Sequence, residues 1–172
     1  MNGRCLRRVM PNIEQPNTNP SKRLTCVLRL CEKAHLRVTP ARKSVLSFLA
    51  AQRLPVTLDT IAHAEQIYGE IDAATVYRSL MLLTEVDVVR QLSLSRKTQY
   101  FALNVPGETC SYLVCRCCGS IVELGSPKGI WDLEEEVRTE LGYVAVYHEL
   151  ELRGVCPACQ ERGRWPLPAA PK

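Results

Sequence analysis

The sequence predicts an α+β chain of two small domains: a helical module closed by a β-hairpin, then a smaller α/β module built around a four-cysteine metal site. Three observations carry this prediction. Apolar residues recur at helical spacing through residues 21–83 and give way to β-prone runs over 88–103. Positive charge is gathered early: residues 21–56 hold eight Lys and Arg against Glu32 alone, whereas residues 107–172 hold seven bases against ten acids. Two Cys-x-x-Cys pairs stand at opposite ends of the second module. The length of 172 residues suits one domain or two small ones.

Residues 1–20 lack apolar periodicity and hold Pro11, Pro16 and Pro20 among Asn and Thr, so they read as a disordered extension. The tail from Gly163, with Pro166, Pro168 and Pro171, reads the same way. Ser21 is placed to cap a first helix running to about His35, with Leu24, Leu28 and Cys31 on one face. Thr39-Pro40 opens a second helix, since Thr is a good N-cap and Pro suits the first helical position. Val45, Leu46 and Leu49 supply its buried stripe. A third helix is expected over about 58–68, ended or bent by Gly69.

The fourth helix starts after Asp72. Val76, Leu80 and Leu83 fall at i, i+4 and i+7 and make one apolar face, leaving Thr75, Tyr77, Arg78 and Ser79 on others. Two β-prone runs follow, Val88–Leu94 and Thr98–Leu103, joined by the basic tip Ser95-Arg96-Lys97. Helices followed by a hairpin with a basic tip describe a winged helix-turn-helix, whose second helix enters a DNA major groove and presents polar residues to base edges. An ordinary small α+β domain with a solvated basic face has the same pattern, so the pattern leaves both open.

Residues 111–160 change character. Ser111–Cys115, Ser120–Leu124 and Tyr143–Leu152 read as strands, and Pro127–Leu141 as a helix carrying Glu134-Glu135-Glu136. Around them lie Cys115-Arg-Cys-Cys118 and Cys156-Pro-Ala-Cys159. Two residues between each pair let one turn of backbone present two thiolates to one ion, and four thiolates make the tetrahedral shell that structural zinc favours. The alternatives are a thioredoxin-like redox pair or free thiols. A redox Cys-x-x-Cys needs one pair at a helix start after a strand, not two at opposite ends of a domain. Cys110, five residues before the first pair, is set apart from the buried-thiol candidates Cys26 and Cys31.

The same reading limits function. No stretch approaches the ~18–20 apolar residues of a membrane span, and no signal-peptide core follows the basic start, so a cytoplasmic location is expected. The deaminase pattern H-x-E with P-C-x-x-C is not met: Leu150 follows Glu149, and Pro157 lies inside the Cys pair. No G-x-S-x-G or phosphate-binding glycine loop is present. A zinc with four thiolates has no open position for water. Neither an enzyme nor a small organic substrate is expected.

By these residues the chain resembles the ferric uptake regulator family. Leu36-Arg37-Val38-Thr39-Pro40-x-Arg42 is similar to the entry of its DNA-binding domain, and Ala74-Thr75-Val76-Tyr77-Arg78-x-Leu80 to its DNA-reading helix. Cys115-x-x-Cys118-Gly119 with Val122-Glu123, and Gly154-Val155-Cys156-x-x-Cys159, resemble its dimerisation domain. The resemblance runs from about 34 to 160. It implies an N-terminal winged helix over 21–103, a hinge over 104–110 and a zinc-stabilised α/β dimerisation domain over 111–162. The function it implies is that of a homodimeric, metal-responsive repressor binding a double-stranded DNA operator. Tyr77 and Arg78 would face bases and phosphates in the major groove and Arg37 the minor groove; Thr75 and the basic-tip residues Arg96 and Lys97 are further DNA-binding candidates.

The chain departs from the family at the regulatory metal site, which lies between the domains and is built mainly from histidines. The two histidine positions before the first Cys pair are Cys110 and Tyr112. The acidic residue of the wing strand is Ala102, and Pro55 and Lys43 fill further histidine places. Glu123 and His148 remain. With Cys110 they make an S/N/O set better suited to a second, regulatory zinc than to iron or manganese. The alternatives are a solvated Glu–His pair beside a strand thiol, a thiol-switched DNA binder, or a zinc-ribbon adaptor that binds protein.

Overall fold

The computed structural model describes residues 19–65, 67, 69–94, 98–108, 110–124, 129–143 and 149–163. Cys110 is described by its backbone alone. The described residues form two compact units, the first ending at Glu108.

The first unit begins with α1 (Pro20–Lys33), whose N-cap is Asn19 rather than Ser21. The Asn19 side chain accepts from the Ser21 N–H at 3.0 Å, with Pro20 at the first helical position. Asn19-Pro20 thus repeats the arrangement of Thr39-Pro40, which starts α2 (Pro40–Ala51). The buried stripe of α1 is Arg23, Val27 and Cys31; Leu24 and Leu28 flank it half-buried, a rotation from the expected face. Val45, Leu46 and Leu49 are buried in α2 as expected.

A two-residue strand that periodicity did not reveal, β1 (Val56–Thr57), leads into α3 (Leu58–Ala62). The predicted third helix was too long. Beyond Ala62 the backbone tightens into three-residue turns, Ala64 N–H to the Ile61 carbonyl at 3.2 Å and Ile67 N–H to the Ala64 carbonyl at 2.8 Å. Ile67 is still fully buried, so the apolar rhythm continues where the helix does not. α4 (Ala73–Glu85) is followed by β2 (Val89–Leu92) and β3 (Tyr100–Leu103). The antiparallel sheet runs β1-β3-β2, with Val56 opposite Phe101 and Gln91 opposite Phe101 on the other side. Its core joins Val27, Leu46, Leu49, Ile61, Leu80, Leu83 and Phe101, all nearly inaccessible.

The second unit is a three-stranded sheet ordered β5-β4-β6. Central β4 (Cys110–Cys115) pairs antiparallel with β5 (Ile121–Glu123) and parallel with β6 (Glu149–Gly154). A parallel neighbour needs a crossover, and α5 (Ile130–Leu141) lies in it. α5 starts later than the predicted Pro127, after Gly129 in the left-handed region at φ 85°. Tyr143 lies outside any strand and β6 starts at Glu149; residues 144–148 are outside the described set. A short α6 (Pro157–Glu161), also not predicted, closes the unit. Among the described residues no helix is long and apolar enough to cross a membrane.

Candidate metal centre and nucleic-acid interface

The second unit's topology assembles the four knuckle cysteines. Parallel pairing sets Cys115, the last residue of β4, opposite Gly154, the last residue of β6. Two residues on, Cys156 is the N-cap of α6, and Cys159 lies within that helix. The first knuckle turns back through Gly119, whose N–H donates to the Cys115 carbonyl at 2.9 Å and whose φ is 72°.

Their four sulfurs lie within 4.8 Å of one another. Cys118 Sγ and Cys156 Sγ are 3.7 Å apart. A tetrahedron of ~2.3 Å zinc–sulfur bonds has edges of about 3.8 Å, so the four thiols are close enough to hold one ion. Burial pushes the Cys115 thiol up, but the backbone N–H groups of Cys156, Cys118 and Cys117 outweigh it and bring it to about 6. The Cys156 N–H lies 3.3 Å from Cys115 Sγ. Contact with the Ser120 hydroxyl holds Cys118 below its ordinary value. Burial raises Cys156, and its hydrogen bond with Cys156 raises Cys159 further. Two of the thiols are thus shifted down and two up, by burial and by the hydrogen bonds of the knuckle. The all-sulfur, closed donor set fits structural zinc. The half-buried Cys117 sits in the knuckle turn and is not one of the four.

For the other candidate ligands the structure is narrower. Glu123 ends β5 half-buried, opposite Tyr112 rather than Cys110. Cys110 is the first residue of β4 and pairs with Glu149 of β6. His148 lies outside the described residues.

In the first unit, α4 has two distinct faces. Val76, Leu80 and Leu83 are fully buried, while Tyr77 is 45% exposed and Arg78 is exposed. Ser79, expected on the outer side, is buried next to Leu80. Asp72 caps the helix: Oδ1 accepts from the Thr75 N–H at 2.8 Å, and Oδ2 accepts from the Thr75 hydroxyl at 2.8 Å. Arg78 Nη2 in turn donates to Thr75 Oγ1 at 2.8 Å. In the sequence Asp72 marked only the helix start; the spacing of three from Asp72 to Thr75 to Arg78 was the signal for this network. Arg37 is exposed just before α2, and its carbonyl accepts from Arg42 Nη1 at 2.5 Å. Arg96 and Lys97 lie outside the described residues, between β2 and β3 in the chain.

Comparison with known proteins agrees with this architecture. The model of the ferric uptake regulator family matches residues 33–153. The peroxide-responsive repressor PerR of Staphylococcus epidermidis is 26% identical over 132 residues, 76% of this chain and 86% of that protein. The solved ferric uptake regulator of Pseudomonas aeruginosa with manganese superposes with a TM-score of 0.65 at 24% identity, covering 76% of this chain and 97% of that one. The Vibrio cholerae ferric uptake regulator gives 0.58 at 26% identity, covering 74% and 98%.

Proposed function

Because the chain belongs to the ferric uptake regulator family, whose members are metal-responsive transcriptional regulators, we propose that it is a homodimeric repressor reading a double-stranded DNA operator. Residues 21–103 are the DNA-reading domain, with 104–108 part of the same compact unit rather than of a free hinge, and the dimerisation domain follows over 111–162. Zinc on Cys115, Cys118, Cys156 and Cys159 holds the second domain together.

What carries this reading is the division of α4. A helix seated by Val76, Leu80 and Leu83 offers exposed Tyr77 and Arg78 from its first two turns, the part of a recognition helix that meets base edges. Thr75 lies beside them. We assign exposed Arg37 to a narrow minor groove, where negative potential draws arginine, and, from the sequence alone, Arg96 and Lys97 to DNA contact. The basic stretch 21–56 suits a polyanion. For the homodimer the support is an apolar surface: Leu133, Leu141, Tyr143 and Leu152 are 47–68% exposed in one small unit, and among the described residues β6 is an edge strand six residues long, a combination that calls for cover.

The sensory site differs from a histidine-built one. Cys110, Glu123 and His148 are the candidates for a second, regulatory zinc, expected to be held more weakly than the knuckle and lost first on chelation. Elemental analysis of the dimer distinguishes the outcomes. Two zincs per chain, the weaker absent in Cys110→Ser, supports a zinc-responsive repressor. A single zinc that survives mild chelation leaves a constitutive or thiol-switched DNA binder.

Salt titration tests DNA reading itself. Affinity for an operator selected from random duplexes is expected to fall steeply between 50 and 200 mM salt, by about one log–log unit per phosphate neutralised. An affinity that ignores salt, or no selected sequence at all, would turn the reading toward a protein-binding adaptor.

A further inference from the structure

We propose that Thr75, itself held by Asp72, is a positioning residue that presets Arg78 for base reading, so that sequence discrimination depends on a hydroxyl that need not touch DNA. The proposal rests on α4 being the DNA-reading helix and concerns how that helix discriminates.

The geometry goes beyond what a helix cap needs. An N-cap aspartate needs only the bond from its side chain to a backbone N–H of the first turn, which Asp72 Oδ1 makes to Thr75 at 2.8 Å. The second oxygen is also engaged, by the Thr75 hydroxyl at 2.8 Å. That bond commits the hydroxyl's single proton to the carboxylate. Its oxygen is then left as an acceptor alone, and Arg78 Nη2 donates to it at 2.8 Å. The three side chains form a directed chain: carboxylate, hydroxyl, guanidinium. Each link has an ionised group at one end, which strengthens it, and each polarises the next.

Asp72, Thr75 and Arg78 are spaced by three, so they lie on one side of the helix start. The Asp72 carboxyl is held below the usual carboxylate range by the Thr75 hydroxyl first and then by the Thr75 N–H, with the Arg78 charge adding to it. The acceptor at the root of the chain is therefore ionised at neutral pH.

The consequence falls on discrimination more than on affinity. An arginine on a free stem loses rotamer freedom when it docks, and it can satisfy itself on whichever phosphate is nearest. Holding one guanidinium N–H on Thr75 fixes the plane of the fork while other donors remain for a base edge. A fixed fork can match the paired acceptors of guanine, and phosphate contacts carry no sequence information.

The test uses the full-length, zinc-loaded protein on the selected operator and on a scrambled duplex of equal length. Thr75→Val keeps the shape and removes the hydroxyl. It is expected to weaken operator binding by about fivefold or more, the low end for losing a base-reading arginine, and to leave the scrambled duplex within about twofold. Thr75→Ser restores the hydroxyl and is expected to restore the operator preference. In an Arg78→Ala background, Thr75→Val is expected to cost nothing more, since it acts through the arginine. Should Thr75→Val fold poorly, Asp72→Asn replaces it: Asn caps as well as Asp but sets an amide against the hydroxyl.

Loss of operator preference in Thr75→Val or Asp72→Asn, with no added loss in the Arg78→Ala background, supports the proposal. An undiminished Thr75→Val penalty in that background means Thr75 contacts DNA directly and overturns it. Wild-type behaviour of Thr75→Val beside a weakened Arg78→Ala overturns it too, with docking through α4 intact. An unchanged Arg78→Ala would instead overturn the docking, and the proposal with it.

Discussion

Arg23 and Glu108 stand 85 positions apart in the chain and form an ion pair at 2.8 Å, their side chains 9% and 18% exposed. The same guanidinium donates to the carbonyls of Ala50 at 2.7 Å and Gln52 at 2.6 Å. One buried side chain thus closes the C-terminal end of α2 and ties Glu108, the last residue of the first unit, to α1.

Arg23→Lys keeps the charge but cannot serve a carboxylate and two carbonyls in fixed directions. It is expected to lower the stability of the first unit by about 1–3 kcal/mol, through buried acceptors left unmet. In urea this should appear as an earlier midpoint with unchanged slope. An unshifted midpoint would mean that water replaces the lost bonds.

Cys156→Ser should abolish the tightly held zinc and unfold the second unit, because a structural zinc supplies roughly 10–16 kcal/mol, as much as a domain's entire stability of about 5–15 kcal/mol. The first unit has its own core and is expected to survive. Limited proteolysis should leave a resistant fragment ending near residue 108. A cooperative unfolding transition of the second unit in the variant would refute the structural role.

Arg78→Ala is expected to weaken operator binding by about 1–3 kcal/mol. Arg78→Lys should recover the salt-dependent part but not the preference for the operator, since an ammonium is a point charge without a fork. Competition between operator and scrambled duplex separates the two components.

Asp72 gives α4 a pH dependence. Its carboxyl is more acidic in the folded chain than unfolded, owing first to the Thr75 hydroxyl and then to the Thr75 N–H. Its contribution is therefore complete above the unfolded value of about 3.9 and is lost as pH falls through the lower folded value. Hydrogen exchange at the Thr75 amide should be slower in wild type than in Asp72→Ala near pH 6. The difference should shrink below about pH 3.9. A difference that stays constant down to pH 2 would show that the charge of Asp72 plays no part in the cap.

Much of this molecule was legible in the sequence wherever the cause is local. α2 and α4 announce themselves through Thr39-Pro40, Asp72 and apolar residues at helical spacing, and the metal centre through thiol pairs spaced for one ion. What escaped depends on distant partners. β1 exists because Val56 and Thr57 pair with Phe101 and Tyr100, a contact no window of sequence contains. α3 was overestimated because Ile67 keeps the apolar rhythm after the backbone has left the helix. Arg23 looked like part of a basic solvated face; its burial depends on acceptors in Leu49–Gln52 and on Glu108. The set Cys110, Glu123 and His148 came from resemblance alone, since no local spacing links its members.

The register of β4 with β6 bears on how the second unit acquires its fold. Cys115 and Gly154 are the last rungs of a parallel ladder whose strands are separated in the chain by β5 and α5. Pairings of that kind form slowly, because chain entropy is spent before the contacts reward it. A first knuckle that captures zinc early turns the search for β6 into the recruitment of two more thiolates by an ion already in place. Refolding of this unit should therefore quicken with free zinc, while the first unit, with its mostly helical early contacts, keeps its own pace.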